Sequence, residues 1–309
     1  MIDDPAVPEP VAPAVERPAR DVAALVAMGV TVAAWASAFV AIRWVGRSFR
    51  PGPLALGRLA VGAAVLGGLL LLRRQRSPAA WVRPTWREWR LLGLCGLAWF
   101  ATYNVALNAA ERRLDAGTSA MLVNVGPVLL ALLAGALLRE GFPRWLLAGA
   151  AVAFGGAVLV GLASAHAAPA DGVGVFLCLL SAVGYAIGVL AQKPVLRRLP
   201  ALQVTWLACC VGAACCLPAA PQLVADAAHA GAGPLAGLLY LGLVPTSLAF
   251  STWAYALARM AAGRLGISTY LVPPLTVLAA WPLLDEVPPP LALAGGVLCL
   301  AGVALSRRR

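Results

Sequence analysis

Arg58 is the residue whose type is hardest to reconcile with its neighbours. It stands in Leu56-Gly-Arg58-Leu, inside an apolar run spanning 53–72. An ionised side chain at membrane depth is costly and marks a functional site by default. A guanidinium there would meet a carboxylate or a phosphate. The competing reading is snorkelling, because Arg58 lies about five residues, roughly 8 Å by helix rise, from the start of its run.

Other polar and aromatic side chains recur inside neighbouring runs. Asn104 and Asn108 stand four apart, on one helix face. Asn124 comes just before Pro127. Trp35, Tyr185, Thr246, Tyr255 and Tyr270 lie at compatible depths, with Ser37, Tyr103, Ser247, Ser251 and Ser268. Polar groups in a bilayer seek protein partners and face inward. Each of these either contacts a small solute or bonds one helix to another. Pro127 and the Pro273-Pro274 pair interrupt their runs and loosen the carbonyls of Val123 and Thr269. Broken helices at matching places in two halves point to a binding site. A packing kink is the alternative.

Reactive constellations are absent from the sequence. The two histidines, His166 and His229, fall between runs, in outer loops. No phosphate loop or metalloprotease helix occurs. Seven cysteines in apolar surroundings, an odd number, do not make a disulfide framework or a zinc set. No catalytic residue, metal or cofactor is expected, and a membrane-embedded enzyme is disfavoured. A non-transporting scaffold or receptor would need longer loops. The acids sit in the tail, loops or run ends, so proton coupling would use Glu111, Asp115, Glu140, Asp285 or Glu286. Facilitated export or exchange is expected.

These residues must be held by membrane helices. Hydrophobic residues make up 61% of the 309 and charged residues only 12%, about half the charged share of a soluble domain. Crossing the hydrocarbon core takes roughly 20 apolar residues. Ten such runs follow one another, at 22–42, 53–72, 90–109, 118–138, 145–163, 174–192, 202–217, 235–257, 266–284 and 291–305. The Pro- and Ala-rich segment 1–21 is expected to be a disordered cytoplasmic tail. The net charge of +11 is spread through the gaps between runs, which argues against nucleic acid. With the N-terminus inside, 18 Lys and Arg fall inside and five (Arg43, Arg47, Arg50, Arg112, Arg113) outside. That bias predicts an inner-membrane, multi-pass chain with both termini cytoplasmic.

The chain also repeats itself. Aligning Arg113–Pro143 with Arg259–Pro289, at an offset of 146, gives 11 identities in 31 positions without a gap. Among them are Pro127/Pro273, Gly117/Gly263 and Glu140/Glu286. Gly149 and Gly156 match Gly295 and Gly302, seven apart on one helix face, where small residues let helices approach. These helices should pack within the chain or, alternatively, across a homodimer. Five helices per repeat send the second copy in from the opposite side. The expected fold is an all-α membrane protein of ten transmembrane helices in two inverted five-helix repeats, 22–163 and 173–306. That architecture suits alternating access.

On these motifs the chain resembles EamA-type members of the drug/metabolite transporter superfamily, with two EamA domains. Trp35-Ala-Ser-Ala-Phe-Val-Ala-Ile-Arg43 is similar to the family's Trp-Gly-Ser-x-Phe-x-x-x-Lys/Arg opening, with Ala36 where glycine is frequent. Leu56-Gly-Arg58-Leu, the Leu-Leu-x-Glu ends at Glu140 and Glu286, and Leu239 to Phe250 are also similar. The resemblance covers nearly everything after the tail. It implies a secondary transporter or exporter of small metabolites such as amino acids, nucleosides, sugars or drug-like solutes, acting as a monomer or homodimer in the lipid bilayer. It does not name the cargo.

Overall fold

The computed structural model describes residues 21–76, 81–114, 116–164, 171–284 and 290–308. The expected tail, apart from Asp21, lies outside them, as do His166, Asp115, Asp285 and Glu286. Every regular element among the described residues is helical.

The first half contains α1 (Val22–Val45), α2 (Pro51–Arg76), α3 (Trp86–Ala110), α4 (Ala116–Val123), α5 (Val125–Leu137) and α6 (Arg144–Ser164). The second contains α7 (Gly172–Val195), α8 (Ala201–Cys216), α9 (Ala220–His229), α10 (Ala232–Arg259), α11 (Ala262–Ile267), α12 (Val272–Leu284) and α13 (Pro290–Leu305). Helix starts are capped as their sequences dictate. Asp21 accepts from Ala24 N at 3.0 Å, and Asp171 accepts from Val173 N at 3.0 Å. Thr85 and Glu88 form a reciprocal capping box at the start of α3.

Among the described residues, six helical runs are long and apolar enough to cross a membrane: Val22–Val45, Pro51–Gln75, Trp86–Ala110, Gly172–Val195, Ala201–His229 and Ala232–Arg259. Others are shorter because they are broken. The run at 118–138 is split at Asn124 into α4 and α5. The run at 266–284 starts as α11 and passes through a 3-10 turn at Ser268–Leu271 before α12. The run expected at 202–217 instead continues, through a 3-10 turn at Leu217–Ala219, to His229. His229 is therefore the last residue of a helix rather than a loop residue. Its apolar neighbours carry the helix on past Pro218, which a helix tolerates in its first turn.

Two long helices contain wide π turns, Gly96–Tyr103 in α3 and Gly242–Leu248 in α10. Such turns leave carbonyls without their usual partners, and polar side chains occupy them. Asn104 Nδ2 donates to Phe100 O at 2.8 Å, Thr246 Oγ1 to Leu241 O at 2.8 Å, and Ser247 Oγ to Gly242 O at 2.9 Å.

The halves pack into each other. α1 lies against α10 and α12, α3 against α7 and α8, and α5 against α7 and α11. α6 and α13 touch along the glycine faces read from the sequence. A Cβ on Gly149 would come within 2.6 Å of Gly302 O, and one on Gly156 within 2.6 Å of Gly295 O. Leu71, Leu137, Val297 and Leu300 stay exposed, as suits side chains facing lipid.

Candidate functional site

Helices α1, α2, α3, α5, α7 and α10, with the breaks before α5 and α12, line a partly open cavity. Its wall is largely aromatic: Trp35 and Phe39 from α1, Trp99 and Tyr103 from α3, Tyr185 from α7 and Phe250 from α10. Trp35, Trp99, Tyr185 and Phe250 form one ring cluster with Trp253. Trp99 lies 4.8 Å from Phe250 and 5.4 Å from Tyr185, and Trp35 lies 5.0 Å from Trp253. Edge and tilted contacts of this kind hold rings in fixed places.

Arg58 provides the cavity's positive charge. It is 3% exposed, and its Nε donates to Thr246 Oγ1 at 3.1 Å. Thr246 is itself fixed by donating to Leu241 O, a carbonyl opened by the π turn in α10. A guanidinium has five N–H donors, and this bond uses one. Arg58 thus points into the bundle, not towards the headgroups.

Asn104, Asn124 and Thr269 add polar groups to the same wall. Asn104 uses its Nδ2 on the Trp99 and Phe100 carbonyls, and its buried Oδ1 has no hydrogen-bond partner among the described residues. Asn124 Nδ2 donates to Ala120 O at 2.6 Å, tying the end of α4 across its break. Tyr185 also lines the cavity, and its buried hydroxyl has no hydrogen-bond partner among the described residues. Pro127 lines the cavity beside Asn124, and so do Val123 and Thr269, whose carbonyls the prolines were expected to loosen.

Trp35, Arg58, Asn104, Asn124, Pro127 and Tyr185 are thus brought together. Other residues singled out by type lie at similar depth but on different helix faces. Asn108 turns to α2, where its Nδ2 donates to Pro51 O at 3.1 Å. Thr246 stands behind Arg58. Tyr255 lies under the Arg259 guanidinium, 3.5 Å from its ring centre. Tyr270 is fully buried against Phe154 of α6, in the cluster joining α6 to α13. Pro273 and Pro274 break their helix without lining the cavity; Pro274 packs towards Gly296 of α13. Trp99 and Phe250 were not singled out, because an aromatic inside an apolar run reads as packing. The structure places Trp99 in the π turn of α3 and Phe250 just after that of α10.

No group of three metal-ligating side chains occurs among the described residues, and all seven cysteines are free. The chemistry on offer is recognition. A guanidinium takes a carboxylate, a carbonyl oxygen and a hydroxyl take an amine or hydroxyl, and aromatic rings take an apolar body.

The model of the EamA-like transporter family matches residues 22–162 and 172–308. The chain is 38% identical, over 92% of its length and 93% of the relative's, to a probable terminal-alkyne amino-acid exporter of Streptantibioticus cattleyicolor. It is 27% identical to the uncharacterized transporter YdfC of Bacillus subtilis, over 93% and 92% of the two chains. It is 25% identical to a probable amino-acid metabolite efflux pump of Salmonella typhimurium, over 90% and 92%. A solved crystal structure, 20% identical, shares the fold with a TM-score of 0.74 over 93% of this chain and 96% of that one. Relatives and family are transporters, not enzymes, and this chain belongs to the EamA-like transporter family.

Proposed function

We propose that this chain exports a small amino acid with an apolar side chain across the inner membrane, by alternating access between two inverted five-helix repeats. The observation that carries this is Arg58, buried and held by Thr246 on the wall of an otherwise aromatic cavity. The cargo carboxylate pairs with the guanidinium. Asn104 Oδ1 and the Tyr185 hydroxyl receive the amine, and the rings take the side chain. Neither a sugar nor a nucleoside carries a carboxylate for Arg58. The names of two relatives, a probable amino-acid exporter and a probable amino-acid metabolite efflux pump, agree with this class.

The repeat reading gains support from helix starts. α1 and α7 begin 150 residues apart, at Val22 and Gly172, and α2 and α8 also 150 apart, at Pro51 and Ala201. From the third helix onward the offset is 146: Trp86 and Ala232, then Arg144 and Pro290. The π turns begin at Gly96 and Gly242, at the same offset. Counting each broken helix pair once, and α8 with α9 as one run, agrees with a reading of ten crossings in units 22–163 and 173–306. With both termini cytoplasmic, the cavity lies towards the outer face, because its lining comes from the end of α1 and the start of α2. The cargo site is then outward-facing and closed from the inside.

Counterflow into proteoliposomes, screened with amino acids, nucleosides, sugars and drugs, tests this. Accelerated exchange of apolar amino acids is expected, lost at least tenfold in Arg58→Ala recovered at equal folded amount. Exchange of sugars or nucleosides alone, or an Arg58→Ala protein with wild-type flux, overturns it. A scaffold predicts no flux with any solute.

A further inference from the structure

At the outer end of the cavity stands an acid that the cargo reading does not use. Glu111 follows the last residue of α3, one position beyond the membrane-crossing run Trp86–Ala110. It shares a helix face with Asn104 and Leu107, both cavity residues, at the three-to-four spacing of a helix. It is only 8% exposed, and neither carboxyl oxygen has a hydrogen-bond partner among the described residues. An ionised carboxylate left out of water without a partner is expensive, and a carboxyl so placed tends to hold its proton. Burial accordingly pushes Glu111 well above the usual carboxylate range, against the pull of Arg43 and Arg58.

The groups around it are few. Arg43 comes from α1, Arg58 from α2, the Tyr103 phenol from α3 itself and the Cys178 thiol from α7. Next in sequence, Arg112 acts on Asp226, and Arg113 is engaged by Asp171. Among the described residues, the two guanidiniums are the charges that favour ionised Glu111, and one of them, Arg58, is the cargo's anchor. A carboxylate arriving on Arg58 cancels that support. Glu111 then gains a proton more readily. By linkage, a protonated Glu111 no longer competes for Arg58, so the carboxylate binds more tightly.

We propose that Glu111 is a proton-binding site linked to Arg58, taking a proton from the outer solution onto a carboxyl oxygen when the cargo carboxylate occupies the guanidinium and returning it when the cargo leaves. This rests on the reading of Arg58 as the cargo anchor. It makes cargo release to the outside sensitive to external pH: alkaline medium favours release, and acid medium retains cargo.

The test uses the full chain in detergent, with L-propargylglycine, an amino acid bearing a terminal alkyne, as probe. Quenching of tryptophan fluorescence reports binding to the cavity. A pH indicator in weak buffer reports proton uptake in the same titration. The wild type should bind at least about fivefold more tightly as the pH is lowered from mildly alkaline to mildly acidic, the low end of ordinary coupling between sites. It should take up a proton fraction on binding. Glu111→Gln, which mimics the protonated acid, should bind as tightly as the acidified wild type at every pH and take up none. Should Glu111→Gln not be recovered folded, Glu111→Asp serves, with a displaced pH midpoint expected. Binding by the wild type without pH dependence or proton uptake overturns the linkage, and so does an unchanged pH profile in the variant. Absence of binding at any pH brings down the cargo reading and the linkage with it.

Discussion

A single threonine lets an arginine stand in an apolar wall. Thr246 accepts from Arg58 Nε and donates its own hydroxyl hydrogen bond to Leu241 O, so both side chains are fixed by one turn of α10. A hydrogen bond to a charged group contributes about 1.5–3 kcal/mol. Thr246→Val keeps the shape and removes the acceptor. It should raise the counterflow KM for apolar amino acids by about tenfold or more, and Thr246→Ser should restore it. An unchanged KM in the valine variant would mean that Arg58 holds its pose without Thr246. Arg58 was legible in the sequence because charge at membrane depth is rare. Thr246 was legible as a polar residue at the right depth, but not as a support, since that role depends on which way α10 is rotated. The same blindness to rotation put Asn108, Tyr255 and Tyr270 beside the true cavity residues. Depth along a helix can be read from one sequence; the face it presents is set by neighbouring helices that the sequence does not order.

Helices here carry their function in their defects. The breaks at Asn124 and Ser268–Leu271 bring Val123, Asn124, Pro127 and Thr269 to the cavity. Proline announced them in the sequence. The π turns in α3 and α10 had no such announcement in α3, where Gly96 to Tyr103 contains no proline at all. Pro245 marks only the turn in α10. Glycines set how closely helices approach, and their effects differ along one helix. A Cβ on Gly302 would fall 2.3 Å from Ala153 N, whereas one on Gly155 of α6 meets nothing within 4 Å. Gly302→Ala must push two backbones apart and should cost about 1–3 kcal/mol, as overpacking does. Gly155→Ala should cost nothing and gain up to about 1 kcal/mol of helix propensity. Melting in detergent followed by tryptophan fluorescence checks both. Equal Tm values for the two variants would mean that α6 and α13 are not in backbone contact.

On the scale of the whole chain, the proposed outward-facing state needs a closed inner face, and a clasp at Glu140 is among the contacts that join the halves at that end. Glu140, just past α5, accepts from Ala262 N at 2.8 Å and from Gly263 N at 3.1 Å, the first amides of α11. Lys193, near the end of α7, donates to the Leu257 and Met260 carbonyls at the end of α10. The two opposite charges attract across the α10–α11 corner between them. Arg139 and Gly141 flank Glu140 with φ of 57° and 73°, so the chain adopts left-handed backbone on both sides to deliver that carboxylate. Sequence reasoning saw Glu140 as a repeat-related motif and Lys193 as topogenic charge. It could not see the clasp, because its parts come from three separate stretches of chain. Opening inward requires the corner to leave Glu140. Glu140→Gln keeps one acceptor oxygen and sets an amide donor against a backbone N–H, so it should favour the inward-open form. Apparent affinity for the cargo should then rise at the inner face and fall at the outer face, each by about 5- to 10-fold for a loss of roughly 1–1.4 kcal/mol. Inside-out and right-side-out vesicles measure the two faces separately. Lys193→Gln should shift the same way, because the corner is held from both ends. If both faces weaken together, Glu140 supports the fold as a whole and other contacts between the halves, such as Arg198 with Glu88 and Gln203 with Val82, hold the inner face.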